Sequence, residues 1–320
     1  MASTEIENVD PTATVDKINK IAADRALNRR RFLSTLGMAG AAAGAAALMS
    51  GCSTTSTSNL AVTTAGAGQT DPLVFLLNVQ YLEATFYSYI TQGTDLPSSI
   101  TGNGPAPTGA PAALAVAAPI TQQIVDLLNE IYYDEVNHVT FLRNLLGSAM
   151  VARPAINLAA YGAITATNAI GIARILEDVE ITAFASVLAG LSSSNATYSG
   201  QLLGAESFHS GALRLICIQN PSITDLSISD GLDVTPNDEG TAAAAAAGPN
   251  ASGGFFASTG GAIASTNTST GIAYTRTTSQ VLAILYGTLA SSGIVITPAA
   301  AGKSSGGFFP SGLNGNITTT

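Results

Sequence analysis

The chain has 320 residues, 21 of them acidic and 12 basic, a formal net charge of −9, and only two histidines and two cysteines. Two cysteines rule out a disulfide framework, so the fold must stand on its hydrophobic core. Past Cys52, six basic residues (Arg143, Arg153, Arg174, Arg214, Arg276 and Lys303) face sixteen acidic ones, which leaves no basic patch for nucleic acid or anionic lipid.

Residues 1–51 read as an export signal. "NRRRFLSTLGMAGAAAGAAALMSGC" has a basic start, an apolar Ala/Gly-rich stretch and small residues before Cys52. Arg29 and Arg30, followed by Phe32 and Leu33, resemble a twin-arginine signal. The stretch is too short and Gly-rich for a membrane span. "LMSGC" resembles a lipobox that would place a lipid on Cys52; Met49 is unusual in that pattern, and ordinary cleavage nearby is the alternative. Residues 52–70 read as a flexible Ser/Thr/Gly/Ala tether.

Residues 71–218 carry four amphipathic segments. The first helix is expected from Asp71 to about Thr91, with Pro72 suited to its first turn and Phe75, Leu76, Val79, Leu82 and Phe86 at helical spacing. Residues 92–117 read as a long loop. The second helix is expected over 119–146, ended by Gly147. Arg153-Pro154 breaks the linker 148–159, which when extended reaches about 40 Å, enough to return along a helix. The third helix is expected over 160–191 and the fourth over 199–218. The pattern predicts an all-α four-helix bundle with a long crossover between the second and third helices. Residues 219–320 read as a loop-rich extension covering the bundle. It holds one short helix at about 278–290, with Thr277 and Gln280 spaced as a capping box. "GGFF" occurs there at 253–256 and 306–309, and its aromatic pairs read as packing anchors.

Both histidines sit three residues after a glutamate, Glu135-x-x-His138 and Glu206-x-x-His209. That spacing puts carboxylate and imidazole on one helix face, where they meet one metal or bridge two. Glu83 lies inside the first helix, and Glu177 and Glu180 inside the third. The order Glu, Glu-x-x-His, Glu, Glu-x-x-His is the ligand order of di-iron and di-manganese carboxylate bundles. The candidate ligands are Glu83, Glu135, His138, Glu177, Glu206 and His209. "YLEATFYSY" and "ILEDVEITAF" align Glu177 with Glu83, which leaves Glu180 as a supporting or substitute carboxylate. Four buried carboxylates would repel one another without counter-ions, and two divalent cations balance them. A lone Glu-x-x-His is usually a solvated helix face; two copies that use every histidine are not explained that way. Tyr87, Tyr132 and Tyr133 are candidates to hydrogen-bond a ligand or relay an electron, with core packing as the plainer reading. Arg174 is expected either to neutralise acid locally or to form a rim salt bridge. Cys217 reads as a buried apolar residue.

"LLNVQYLEATFYSYITQG", "EVNHVTFLRNLLG", "LEDVEITAF", "RTTSQVLAILYGT" and "GGFFPSGLNG" resemble the ferritin-like domain family that includes plant desiccation-associated proteins and many exported bacterial proteins. The resemblance spans about residues 71–320 and implies a ferritin-like bundle with the same six ligands. Relatives often carry a second glutamate on the first helix where this chain has Gln80. The expected function is an exported protein with a dinuclear iron or manganese centre that reacts with oxygen or peroxide. The alternative is a non-catalytic envelope protein, protective under drying or stress, with structural metal or none. Iron storage is a third reading, which the long tail opposes.

Overall fold

A computed structural model of the chain describes residues 70–233 and 273–317; the expected signal, the tether up to residue 69 and the "GGFF" at 253–256 lie outside the described residues. The first long helix, α1 (Thr70–Gln92), is buried on nearly every side. Its sequence is apolar around the whole circumference, from Leu73, Val74 and Phe75 to Phe86, Tyr87 and Ile90, and such a helix belongs inside. A one-turn helix, α2 (Ser98–Thr101), interrupts the loop that follows. Next come α3 (Gln122–Leu146), α4 (Ala169–Leu188) and α5 (Ser193–Gln219). The packing is pairwise: α1 lies against α3, α4 lies against α5, and α1 also touches α4.

Helix boundaries follow from capping. The Thr121 side chain accepts a hydrogen bond from the Ile124 amide and starts α3 three residues later than the periodicity predicts. Gly147, at φ +56°, ends it. The largest correction concerns α4, expected from residue 160 but starting at Ala169. Residues 159–168 form turns instead. Gly162 has φ +92°, and the Asn168 side chain accepts from the Thr165 amide at 2.7 Å while donating to the Ala163 carbonyl at 3.0 Å. Tyr161, which fits the apolar period of a helix, is buried with its hydroxyl on the Ile284 carbonyl at 2.6 Å. At its other end α4 stops at Leu188 rather than 191. The Ser-rich stretch expected to be a turn is the first turn of α5, which begins at Ser193 rather than 199.

The connection 147–168 is held down by one arginine. Arg153 is almost fully buried and makes two contacts with Asp95, at 2.5 and 2.8 Å. It also donates to the Pro105 carbonyl and to Thr85 of α1. Close approach fixes Gly171 on α4, where a Cβ would collide with the Thr224 carbonyl.

The C-terminal stretch packs on these helices. Helix α6 (Thr278–Leu285) opens with both bonds of the capping box between Thr277 and Gln280. It ends before the expected 290, because Gly287 brings the backbone against Thr297, where a Cβ would stand 2.5 Å from the carbonyl oxygen. A small sheet follows that the periodicity does not predict: β1 (Ser227–Ile228), β2 (Thr288–Leu289) and β3 (Val295–Thr297). Its order is β1-β3-β2, with β1 parallel and β2 antiparallel to β3, and Ile228 opposite Ile296. Phe308 and Phe309 are fully buried; Phe308 meets Tyr161 edge-on with ring centres 4.6 Å apart, and Phe309 meets Tyr286. Asn314 exchanges hydrogen bonds with Asn78 of α1. Among the described residues, no helix is long and apolar enough to cross a membrane.

Candidate metal centre

All four long helices send acid into the middle of the bundle. Glu83 on α1, Glu135 on α3, Glu177 and Glu180 on α4, and Glu206 on α5 have no solvent exposure, and His138 and His209 are buried on α3 and α5. Each Glu-x-x-His pair lies on the inward face of its helix, as its spacing requires. Oxygens of Glu83, Glu135, Glu177, Glu180 and Glu206 lie within 4.8 Å of one another, and so do donor atoms of Glu135, Glu177, Glu206 and His209.

Both imidazoles turn Nδ1 inward. His209 Nδ1 is 3.1 Å from Glu206, 3.2 Å from Glu135 and 3.4 Å from Glu177. His138 Nδ1 is 2.8 Å from Glu206 and 3.6 Å from Glu135, and is not aligned for a hydrogen bond. Glu135 and Glu206 therefore stand between the two histidines, and each is within reach of both. The rings lie 6.1 Å apart, tilted by 25°. On its outer side, His209 Nε2 is 3.3 Å from Asp134. Nδ1 meets Glu206 at hydrogen-bond distance on the inner side, and a bond from Nε2 to Asp134 would leave Nδ1 free as a donor once a cation displaced its proton.

Two α1 side chains complete the inner surface. The Gln80 amide donates to Glu135 Oε2 at 2.6 Å, and the Tyr87 hydroxyl donates to Glu177 Oε1 at 2.5 Å. Even so, at least one oxygen of every one of the five glutamates has no hydrogen-bond partner, and both oxygens of Glu83 and Glu180 are orphaned. Buried polar groups are almost always paired, so a cluster of buried carboxylates without protein partners is a strong exception. Five carboxylates carry −5 when ionised, and two divalent cations supply +4. The donor set, carboxylate oxygens with two imidazole nitrogens, suits a transition metal ion.

Without cations the cluster must hold protons. Burial, opposed by His209 and reinforced by the charges of Glu135 and Glu206, pushes Glu177 up to about 8. Burial and the neighbouring Glu206 raise Glu180 well above the carboxylate range. Burial also disfavours charge on Glu135, but His138 and His209 outweigh it and bring Glu135 down to about 2. Burial works against a charged His138, yet Glu206 and Glu135 raise it to about 10; His209 is raised in the same way, chiefly by Glu177. The sign of the pH dependence follows. The folded protein keeps a proton on Glu177 from its ordinary 4.5 up to about 8, and on His138 from 6.5 up to about 10, where the unfolded chain has lost both. Stability of the metal-stripped protein should therefore fall as pH rises from about 5 to about 8. Denaturant titrations at the two pH values check this, and a stripped protein more stable at the higher pH would contradict it.

The six residues singled out in the sequence converge, and Glu180 joins them. Glu180 is not a bystander to Glu177: its carboxylate lies inside the five-acid group. Among the tyrosines, Tyr87 is the one that reaches an acid of the cluster, whereas Tyr132 and Tyr133 pack on each other with ring centres 5.1 Å apart. Arg174 neutralises acid locally, through Asp178 one turn on, and is no rim residue. It is fully buried, at neither the rim nor the cluster, and pairs with Asp178, Asp225 and Asp233. Cys217 is buried in the core. Asp134 was missed; its signal was its place one turn across from a histidine on a neighbouring helix, which the sequence does not display.

Fold and cluster together define a four-helix carboxylate–histidine bundle, a donor set able to hold metal. Residues 68–219 match the family described as ferritin-like domain. No curated protein matches the chain.

Proposed function

We propose that the protein is exported, holds a pair of iron or manganese ions in this cluster, and uses them in redox chemistry with oxygen or peroxide. The observation that carries the reading is the set of orphaned oxygens on five fully buried glutamates beside two inward-facing imidazole nitrogens. His209 and Glu177 would hold one ion, and His138 the other, with Glu83 among the carboxylates available to the pair. Glu135 and Glu206, each near both histidines, are placed to be shared, and Glu180 adds a further carboxylate. When bound, such ions supply Lewis acidity and a change of valence towards a small oxidant.

The chain's own residues set the conditions for that chemistry. Tyr87 keeps a proton on its hydroxyl, since burial and then the adjacent Glu177 raise it well above the ordinary tyrosine range, and it fixes the Glu177 carboxylate by donating to Oε1. Gln80 does the same for Glu135. Asp134 orients His209. Burial of all five acids excludes bulk water from the cluster. The Arg29–Arg30 signal and Cys52 support a periplasmic or cell-envelope location, with a lipid on Cys52 as one way of holding it there. A twin-arginine signal suits a protein that folds, and takes up metal, before it crosses the membrane.

Elemental analysis of purified wild-type protein and of Glu135→Ala tests the metal. The expected result is two ions per wild-type chain and at most a small fraction of that in the variant; equal, near-zero metal in both would end the reading. Oxygen- and peroxide-consumption assays on the loaded protein test the chemistry. A fully loaded protein inert to both oxidants would leave the ions as a structural clamp and overturn the redox role.

A further inference from the structure

Resting on the two-ion reading, we propose that the two cation positions are unequal: the one at His209 fills first and tightly, and the one at His138 is held loosely because Gln80 stands where the other half of the bundle has Glu177. The two halves repeat one layout. Helix α1 carries Gln80-x-x-Glu83 against α3, and α4 carries Glu177-x-x-Glu180 against α5. Within that repeat, Glu83 answers to Glu180, Glu135 to Glu206 and His138 to His209. Gln80 and Glu177 occupy the same register, three residues before a cluster glutamate, and differ by a full negative charge.

Geometry follows the chemistry. Around His209, the acids Glu177, Glu206 and Glu135 all stand within 3.4 Å of Nδ1, and the four residues present donors within 4.8 Å of one another. Around His138, the close acids are only the two shared ones, Glu206 and Glu135. The α1 side chain at the register of Glu177 offers a neutral amide. Its N–H group is bound to Glu135 Oε2, occupying an oxygen of a shared carboxylate, and its carbonyl oxygen has no partner. In a fully buried site, replacing an anionic donor by a neutral one weakens cation binding far more than it would at the surface.

A second difference points the same way. Asp134 stands behind His209, 3.3 Å from Nε2, and makes that imidazole a better donor through Nδ1. The residue that answers to Asp134 in the other repeat is Ala205, which carries no group able to orient His138. Outer partners of this kind change metal affinity by about 10–100-fold. Both asymmetries favour the position at His209.

The test is a Mn²⁺ titration of chelator-stripped full-length protein, read by calorimetry and by electron paramagnetic resonance. Wild type should bind in two steps whose Kd values differ by at least about tenfold. The first equivalent should give the signal of an isolated ion, and the second should convert it to that of a coupled pair. Gln80→Glu should tighten the second step and leave the first in place, and Glu177→Gln should remove the tight step. Two indistinguishable steps in wild type, with the coupled signal growing from the first addition, would overturn the inference while leaving the two-ion reading intact. A Gln80→Glu chain with unchanged separation of steps would also overturn it. No binding by wild type would instead bring down the parent reading.

Discussion

Supplying Mn²⁺ or Fe²⁺ to the stripped protein should raise its unfolding free energy by about 4 kcal/mol for each ion present at a thousand times its Kd. Removing Glu180 should raise the stability of the stripped protein and shrink its gain from metal. Unfolded chain has no cluster to bind the ions, so their affinity appears directly as folding stability. The stripped protein, in contrast, carries five acids with orphaned oxygens in the buried centre of a bundle, kept in place by protons and two imidazoles. Replacing one such acid with an apolar side chain of similar volume removes an unsatisfied buried polar group. Stripped Glu180→Leu should thus exceed stripped wild type in stability by about 1–3 kcal/mol, while gaining less from added metal. Denaturant titrations of both proteins, with and without metal, give all four values. A Glu180→Leu variant less stable than stripped wild type, yet stabilised by metal to the same extent, would show that Glu180 is a structural acid and no part of a cation site.

The second large effect lies one residue from the cluster but on another face of α4. Asp178 accepts from Ser210 at 2.6 Å, from Arg214 at 2.5 and 3.0 Å, and from Arg174 at 3.1 Å. Burial disfavours its charge, but Arg214 and then Arg174 more than compensate and hold its carboxyl below the usual range. Both guanidinium groups are fully buried. Arg174 also reaches Asp225, Asp233 and the Leu226 carbonyl, which ties the chain after α5 back onto α4. Deleting the shared carboxylate takes a counter-charge from both buried guanidinium groups, although Arg174 keeps Asp225 and Asp233, a loss of about 3–5 kcal/mol. Against a domain stability of about 5–15 kcal/mol, Asp178→Ala should unfold far more readily and accumulate as insoluble chain. Asp178→Asn keeps the volume and one acceptor and should lose less. Its folded fraction should still bind a full complement of metal, because the Asp178 side chain faces the arginines and not the glutamates. A soluble Asp178→Ala protein with wild-type stability would contradict this account of the network.

How much of this was legible beforehand depends on the range of the interaction. The Glu-x-x-His pairs were legible because three-residue spacing in a helix fixes a shared face whatever surrounds it. The periodicity marks α1 as amphipathic, whereas it is buried on nearly every side; the apolar residues on its outer faces, not only the periodic ones, carry that signal. Interactions between distant segments were not legible. For Arg174 local neutralisation of acid and a rim salt bridge both stayed open, because its partners Asp225 and Asp233 lie more than fifty residues further on, in a stretch with almost no regular structure. The start of α4 was misjudged because Tyr161 is apolar in the right register, and only its bond to Ile284 shows why the chain turns there. Glu180 was ranked below Glu177 on local similarity of sequence. The shared spacing of Gln80-x-x-Glu83 and Glu177-x-x-Glu180 matches Glu180 to Glu83 instead, and both α4 acids reach the cluster.

Anomalous scattering from crystals of the metal-loaded protein tests the central claim most directly. Two peaks among Glu83, Glu135, His138, Glu177, Glu180, Glu206 and His209 are the result this account predicts. Peaks only at surface carboxylates, with the bundle interior empty, would contradict it.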